Sequence, residues 1–139
     1  MASLIYNSCL DDMAKGAIDF DTDTFKTLLV TSSYTPNKDT HDKRDDVTNE
    51  VANGNGYTTG GATSACTVTK DTANDKVTLS FAAVSWSTAT ITARGAVIYK
   101  SRGGASSADE LVAYIDFGGD VSSSGGTFSI SASTITLQN

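Results

Sequence analysis

The sequence contains 139 residues, of which 39% are hydrophobic and 19% are charged. This length suffices for one hydrophobic core and is too short for a β/α barrel of about 250 residues or a protein kinase. Sixteen acidic and ten basic residues give a formal net charge of −6, and the basic residues form no stripe that could follow a phosphate backbone. We therefore expect a single domain over residues 1–139 without direct nucleic-acid binding.

The composition favours β structure. Serine and threonine together supply 37 residues, with twelve glycines and one proline, a usage typical of strands and turns. No segment approaches the roughly 18 apolar residues that cross a bilayer, so no membrane association is expected. The first residues lack the pattern of a secretory signal. Cys9 and Cys66 lie far apart without metal or redox spacing, so we expect buried or idle thiols in a reducing compartment.

The first predicted element is a short amphipathic helix over residues 7–17. Gly16 fits a left-handed exit from this helix, and Asn7 or Ser8 could cap its start. Its apolar positions recur every three or four residues and comprise Leu10, Met13, Ala14 and Ala17. A strand buried on both faces is predicted next, over residues 25–31.

Residues 32–63 have little core-forming content. A turn at Pro36 leads into a charged run over residues 38–46, and a glycine-rich stretch follows at 54–61. Only residues 47–51 could form a short strand. We expect an irregular loop or arm that is either disordered or functional.

The remaining chain has the alternating pattern of short strands at 8–12-residue spacing, typical of an antiparallel sandwich or barrel. We predict an all-β, jelly-roll-like sandwich of about eight strands with one short N-terminal helix. An immunoglobulin-like sandwich is the alternative, although no Cys and Trp spacing supports it. The predicted strands after the loop are residues 66–70, 76–81, 83–86, 90–93, 96–100, 111–117, 127–131 and 134–137.

No motif predicts catalytic residues, a metal site or a cofactor. His41 is the sole histidine and lies in the charged run without a nucleophile pattern. Three aspartates at alternate positions, 19 to 23, resemble the opening of a calcium loop. Thr24 and Val30 stand where that loop requires Gly and Glu, so these aspartates are expected to solvate the connection between helix and strand.

Acidic pairs and aromatic residues leave two further possibilities open. Glycoside hydrolysis needs an acid and a base, but nothing in the spacing of Asp109, Glu110, Asp116 and Asp120 identifies such a pair. Trp86, Tyr57, Tyr99 and Tyr114 could form an aromatic platform for a sugar or a protein. We expect Trp86 in the core and Tyr57, which lies among glycines, at the surface.

Several segments, taken in order, resemble one family of small structural proteins of tailed bacteriophages, the head decoration or cement proteins. The resemblance extends from Tyr6 and Asn7 to the end of the chain and is nearest to the jelly-roll members of the family. Its segments are residues 34–41 (YTPNKDTH), 56–61 (GYTTGG), 84–86 (VSW), 92–94 (TAR), 97–100 (VIYK), 109–111 (DEL) and 126–130 (GTFSI).

The resemblance implies a protein without catalytic residues on the exterior of the virion. Such a protein binds the outer surface of an icosahedral head across joints between subunits of the major capsid protein. A homodimer is expected to straddle neighbouring capsomers. A neck, tail or fibre component, with carbohydrate binding through Tyr57, is the alternative.

Two regions are expected to reach the capsid protein, the charged loop and the N-terminal segment. The glycine-rich stretch adds Tyr57 as an exposed contact. The candidate partner-binding residues are Lys38, His41, Lys43, Arg44, Tyr57, Leu4, Ile5 and Tyr6.

Overall fold

Residues 2–139 are described in a computed structural model. Eight strands and one α-helix form this part of the chain, with single 3-10 turns at Arg44–Asp46 and Ser106–Ala108. The elements are β1 (Leu4–Ile5), α1 (Asn7–Ala14), β2 (Phe25–Val30), β3 (Ala62–Thr63), β4 (Cys66–Asp71), β5 (Lys76–Phe81), β6 (Val84–Lys100), β7 (Leu111–Ile130) and β8 (Ser133–Gln138).

The strands form two antiparallel sheets. The large sheet has the order β1-β7-β6-β2-β3, and the small sheet has the order β4-β5-β8. The prediction of a mostly β fold with two antiparallel sheets and one short helix is confirmed. The strand order does not confirm jelly-roll connections, because β4–β5 and β6–β7 are hairpins between strands that follow each other in the chain.

The small sheet packs its apolar face against the large sheet. Alternation in β5 places Leu79 and Phe81 toward the core, as the sequence predicts. The rings of Phe25 and Phe81 meet edge to face with centroids 5.5 Å apart, and Cys9 of α1 joins the same cluster. Full burial of each large apolar side chain contributes roughly 1.5–3 kcal/mol, so this cluster holds the two layers together.

The hairpin of β6 and β7 is longer than the sequence predicts. Apart from residue 83, the predicted segments 83–86, 90–93 and 96–100 lie in the single strand β6. The pairing register shifts between Trp86 and Ala89 and between Ala93 and Gly95. Bulges of this kind break the alternation without ending the strand. Thr88, with φ of 49°, lies at the first irregularity.

Helix α1 is shorter than predicted and presents a different face to the core. It ends at Ala14, and Gly16 has the predicted left-handed conformation with φ of 77°. Cys9 and Met13 pack inward, whereas Leu10 is 48% exposed. The prediction that Leu10 and Ala14 belong to the buried face is therefore wrong, because the helix faces the core with Cys9 instead.

The long loop is packed against the large sheet. The predicted strand at residues 47–51 does not form, and only one bridge joins Val30 to Glu50. Tyr34 and Val47 contribute to a cluster on the sheet face opposite the small sheet. The loop therefore covers that face as part of the folded body.

Candidate interaction surface

Arg44 joins the charged loop to the hairpin end that contains Asp109. Its Nε donates to Oδ2 of Asp109 over 2.8 Å, and the Asp109 side chain is only 2% exposed. The guanidinium carbon also lies 5.1 Å from the centre of the Tyr99 ring, within the range of a cation–π contact. Arg44 therefore forms an ion pair within the chain, and its contact with the capsid stays a prediction.

Lys43 belongs to the neighbouring ion cluster around Glu110. Its Nζ lies 3.8 Å from Oε1 of Glu110, and Nε of Arg102 lies 3.0 Å from both carboxylate oxygens. Burial favours a higher pKa of the Glu110 carboxyl, but the hydrogen bond from Arg102 and the charge of Lys43 outweigh it and lower this pKa. Lys43 is thus also paired within the chain, and its external role stays a prediction.

His41 is the outer member of a hydrogen-bonded row that leads into the core. Its Nδ1 lies 3.0 Å from the hydroxyl of Tyr34, and that hydroxyl lies 2.8 Å from the hydroxyl of Tyr6. Tyr6 is fully buried, and its burial raises the pKa of its phenol above the usual range. The prediction of Tyr6 as a surface contact is therefore wrong, and His41 is half-buried rather than free in solvent.

Tyr57 is the clearest correction to the sequence-based site. It is 2% exposed, its hydroxyl accepts a hydrogen bond from the Leu29 amide over 3.0 Å, and it donates to Glu50 over 2.7 Å. Its ring packs at 5.6 Å from that of Trp86. The expected exposure of Tyr57 is wrong, whereas the core position predicted for Trp86 is confirmed.

The other proposed platform aromatics are buried as well. Tyr99 donates its hydroxyl to the carbonyl oxygen of Gly60 over 2.7 Å, and Tyr114 packs with Tyr34. Aromatic rings at these positions stabilise the packed loop. They offer no exposed ring face for a sugar.

The structure brings the N-terminal segment and the loop tip together. The amide of Asn7 donates to the carbonyl of Lys38 over 2.9 Å, and its side chain donates to Oδ1 of Asp39 over 2.7 Å. The side chains of Lys38 and Asp39 are more than half exposed and pair with each other at 2.7 Å. We define the loop-tip surface as Asn7, Lys38, Asp39 and Thr40, all of which are exposed.

An apolar strip lies elsewhere on the N-terminal segment. Ile5 is 37% exposed and Leu10 is 48% exposed, two of the three large hydrophobic residues that are exposed within residues 2–139. They lie beside Ile135 and Leu137 of β8 around a crevice of about 10 Å³. Leu4, by contrast, is half-buried and packs against the core. Of the residues in this strip, only Ile5 was among the predicted partner contacts.

Several of the acidic residues considered for chemistry form ion pairs or hydrogen bonds within the chain. Asp23 pairs with Lys100 at 2.8 Å and accepts a hydrogen bond from the Asp19 amide over 2.7 Å, so these aspartates fix the connection between helix and strand. Asp116 pairs with Arg94 at 3.3 Å. Within the described range 2–139, no three His, Cys, Asp or Glu side chains converge in a way that could hold a metal ion.

Both cysteines are free, as predicted. Burial raises the pKa of the Cys9 thiol to about 12 and that of the Cys66 thiol to about 11, which disfavours the reactive thiolate. In the same described part of the chain, no helix has the length and apolar character needed to cross a bilayer.

Comparison of the chain with protein-family models, with curated proteins and with solved structures found no match.

Proposed function

We propose that this chain is a capsid cement protein of a tailed bacteriophage. It binds the outer surface of the icosahedral head across joints between major capsid protein subunits and stabilises the shell. Its location is the exterior of the virion, after synthesis in the host cytoplasm, and its role is adhesion without catalysis. The proposal includes a relationship to the jelly-roll cement proteins. The segments between Tyr6 and the end of the chain that resemble this family support it.

The observation that carries the proposal is the loop-tip surface. Two regions that the sequence separates by about thirty residues meet through the bonds from Asn7 to Lys38 and Asp39. Their exposed polar groups form one continuous face on a folded body. A protein that spans a joint between subunits needs such a face, repeated at many symmetry-related places where each contact is modest.

The anchoring of the loop supports the same role. Asp109, Glu110 and the Tyr6–Tyr34 bond fix the loop to the sheets on both sides of its tip. A contact surface that is ordered before binding avoids part of the conformational entropy that binding would otherwise cost. Because Lys43 and Arg44 supply this anchoring, the contact with the capsid is assigned to the tip and to Lys38.

The proposal is tested by binding purified protein to phage shells that lack it. Lys38→Glu should lower occupancy, with a loss that depends on salt concentration because an exposed charge is screened. Lys15→Glu is the matched control, since Lys15 is equally an exposed lysine that pairs with an aspartate at 2.7 Å. Equal occupancy of both variants and wild type across salt concentrations would exclude the loop-tip surface from the contact.

A neck, tail or fibre component remains the second virion role. Its carbohydrate-binding version depended on an exposed Tyr57, and that residue is buried. The two roles differ in copy number, because a cement protein covers the whole head whereas a neck or tail part occupies few positions.

A further inference from the structure

Strand β8 is an unprotected edge of the small sheet. It pairs with β5 on one side over all six residues without a register shift, and the sheet ends there. We define the open edge as the free side of β8 together with Ile5 and Leu10, which lie next to Ile135 and Leu137 of this strand. Open strand edges can pair with another chain unless the sequence prevents it.

The hydrogen-bond pattern shows which backbone groups of β8 point outward. Just beyond the end of β8, the amide of Asn139 donates to the carbonyl of Asp75, which directly precedes β5. In an antiparallel pair, this bond places the backbone N–H and C=O groups of the odd-numbered β8 residues toward β5. The bond from the Ala82 amide to the Ala65 carbonyl on the other side of β5 requires the same phase. The free N–H and C=O groups at the edge therefore belong to Thr134, Thr136 and Gln138.

The two edges of the small sheet differ in protection. In β4, Lys70 lies on the same face as Val68, which packs toward the core. A charge on the inner face of an edge strand opposes pairing with another strand. β8 has the sequence STITLQ, with no charge and no proline. Of the two, only β8 can accept another strand without burying a charge.

The inner side of β8 offers apolar surface to a second strand. Ile135 and Leu137 are only partly buried against the core, and a cleft of about 460 Å³ separates this strand from β1. Ile5 and Leu10 extend the apolar surface along the same side. A strand that paired here would remove this surface from water, at roughly 25 cal/mol per Å² of apolar area.

We propose that the open edge pairs with β8 of a second copy of this chain, antiparallel and around a two-fold axis at Thr136. The two small sheets then form one continuous six-stranded sheet with the order β4-β5-β8-β8-β5-β4. The proposal rests on the self-association included in the proposed function and assigns its interface and register.

The register follows from symmetry and from the outward groups. A two-fold axis perpendicular to the sheet keeps the inner faces on one side, so residues of equal parity must face each other. Thr136 is the middle one of the three outward positions, and placing it opposite Thr136 of the second copy lets all three pair. Ile135 then faces Leu137 of the second copy on the inner side, in the closer, non-hydrogen-bonded type of pair.

Because β8 carries no charge, a second copy meets the least repulsion at this edge. Two chains of net charge −6 repel each other, and the repulsion is least where neither surface carries a charge. On the outer face, the register of β4, β5 and β8 already aligns Thr69, Thr78 and Thr136 in one row. The proposed pairing continues this threonine row into the second copy, where cross-strand threonines pair well.

The test measures oligomeric state by sedimentation equilibrium, with reductant present, from about 1 μM to about 1 mM protein. Wild type should form a dimer, and Thr136→Lys and Thr136→Glu should each be monomeric because like charges would face each other at the axis. An equimolar mixture of the two variants should restore a dimer that contains one of each. Thr69→Lys, in the same row at the other edge, should dimerise like wild type.

Three results would overturn the interface. These are a wild-type monomer at all concentrations, a Thr136→Lys dimer as stable as the wild-type dimer, or a failure of the mixed variants to associate. Far-UV circular dichroism and the thermal midpoint of each variant establish that it is folded. Since sedimentation needs no phage shell, failure here leaves the capsid-binding result intact, and a dimer that does not bind shells would count against the proposed function alone.

Discussion

Arg44 and Asp109 are separated by 65 positions in the sequence, yet Nε of Arg44 lies 2.8 Å from Oδ2 of Asp109. The pair lies between the charged loop and the end of the β6–β7 hairpin. Two backbone hydrogen bonds join the same segments, from the Arg44 amide to the Asp109 carbonyl and from the Leu111 amide to the Asp42 carbonyl. Two cations of the charged run, Lys43 and Arg44, are thus paired with buried carboxylates of the folded hairpin end.

Replacement of Arg44 by Ala should destabilise the protein strongly. It would leave the buried Asp109 carboxylate without its cation, and breaking one partner of a buried ion pair costs about 3–5 kcal/mol. The free energy of unfolding in urea measures the effect. Lys38→Ala removes an exposed pair and should cost less than about 1 kcal/mol, so equal losses in the two variants would contradict the anchoring role of Arg44.

The hydroxyl of Tyr57 should contribute more to the free energy of unfolding than an exposed hydroxyl close by. Tyr57→Phe deprives the Leu29 amide of its acceptor and Glu50 of a donor, and an unsatisfied buried group costs about 1–3 kcal/mol. Urea unfolding of Tyr57→Phe and of the exposed control Thr58→Ala compares the two. A Tyr57→Phe protein as stable as the control would show that the hydroxyl is not buried in this bonded state.

Alanine substitutions at two glycines distinguish the cost of backbone strain from the cost of steric overlap. Gly16 and Gly61 have nearly equal φ values of 77° and 76°, but a Cβ at Gly16 would meet open space, whereas one at Gly61 would overlap the carbonyl of Thr27 in β2. Both substitutions to Ala incur the left-handed cost of roughly 1–2 kcal/mol. Gly61→Ala should therefore lower the thermal midpoint much further than Gly16→Ala, and similar midpoints would contradict the close approach of β2 and the loop.

The carboxyl of Asp12 should make stability depend on pH. Burial raises its pKa, with Lys43 opposing and Glu110 adding to the shift, and its Oδ2 is buried without a hydrogen-bond partner. Because the folded state holds this proton more tightly than the unfolded state, its contribution to stability is lost as pH rises through the raised pKa.

Asp12→Asn should therefore be more stable than wild type at neutral pH, and the advantage should shrink below about pH 3, where both states of wild type are protonated. Thermal unfolding at several pH values measures this. Asp11→Asn, on the exposed side of the same helix, should shift the midpoint only slightly. An Asp12→Asn advantage that persists unchanged in acid would argue against titration of Asp12.

Local periodicity predicted the elements whose alternation is uninterrupted. β5 over Lys76–Phe81 matches its predicted strand because its apolar residues alternate regularly. β2 over Phe25–Val30 matches within one residue because its second half is a continuous apolar run. The prediction divided β6 where bulges near Trp86 and Gly95 change the phase of alternation. A bulge preserves the strand but removes the signal on which the prediction depends.

The site was harder to predict because its residues are fixed by distant contacts. Tyr57 looked exposed among glycines, but Leu29, 28 positions earlier, supplies the donor that holds it in the core. Lys38 was identified correctly as an exposed loop residue, whereas its neighbours Lys43 and Arg44 find carboxylates that only the folded hairpin presents. The open edge of β8 could have been suspected from its lack of charge, but its position in the sheet could not.

The amount of this protein in purified virions, relative to the major capsid protein, tests the central claim most directly. Quantitative mass spectrometry of intact particles, combined with a cryo-electron map, gives both copy number and position. If the chain is a cement protein, its copy number should be near that of the major capsid protein and its density should lie on the outside of the head. A few copies confined to the neck or tail, or none on the head exterior, would contradict the account.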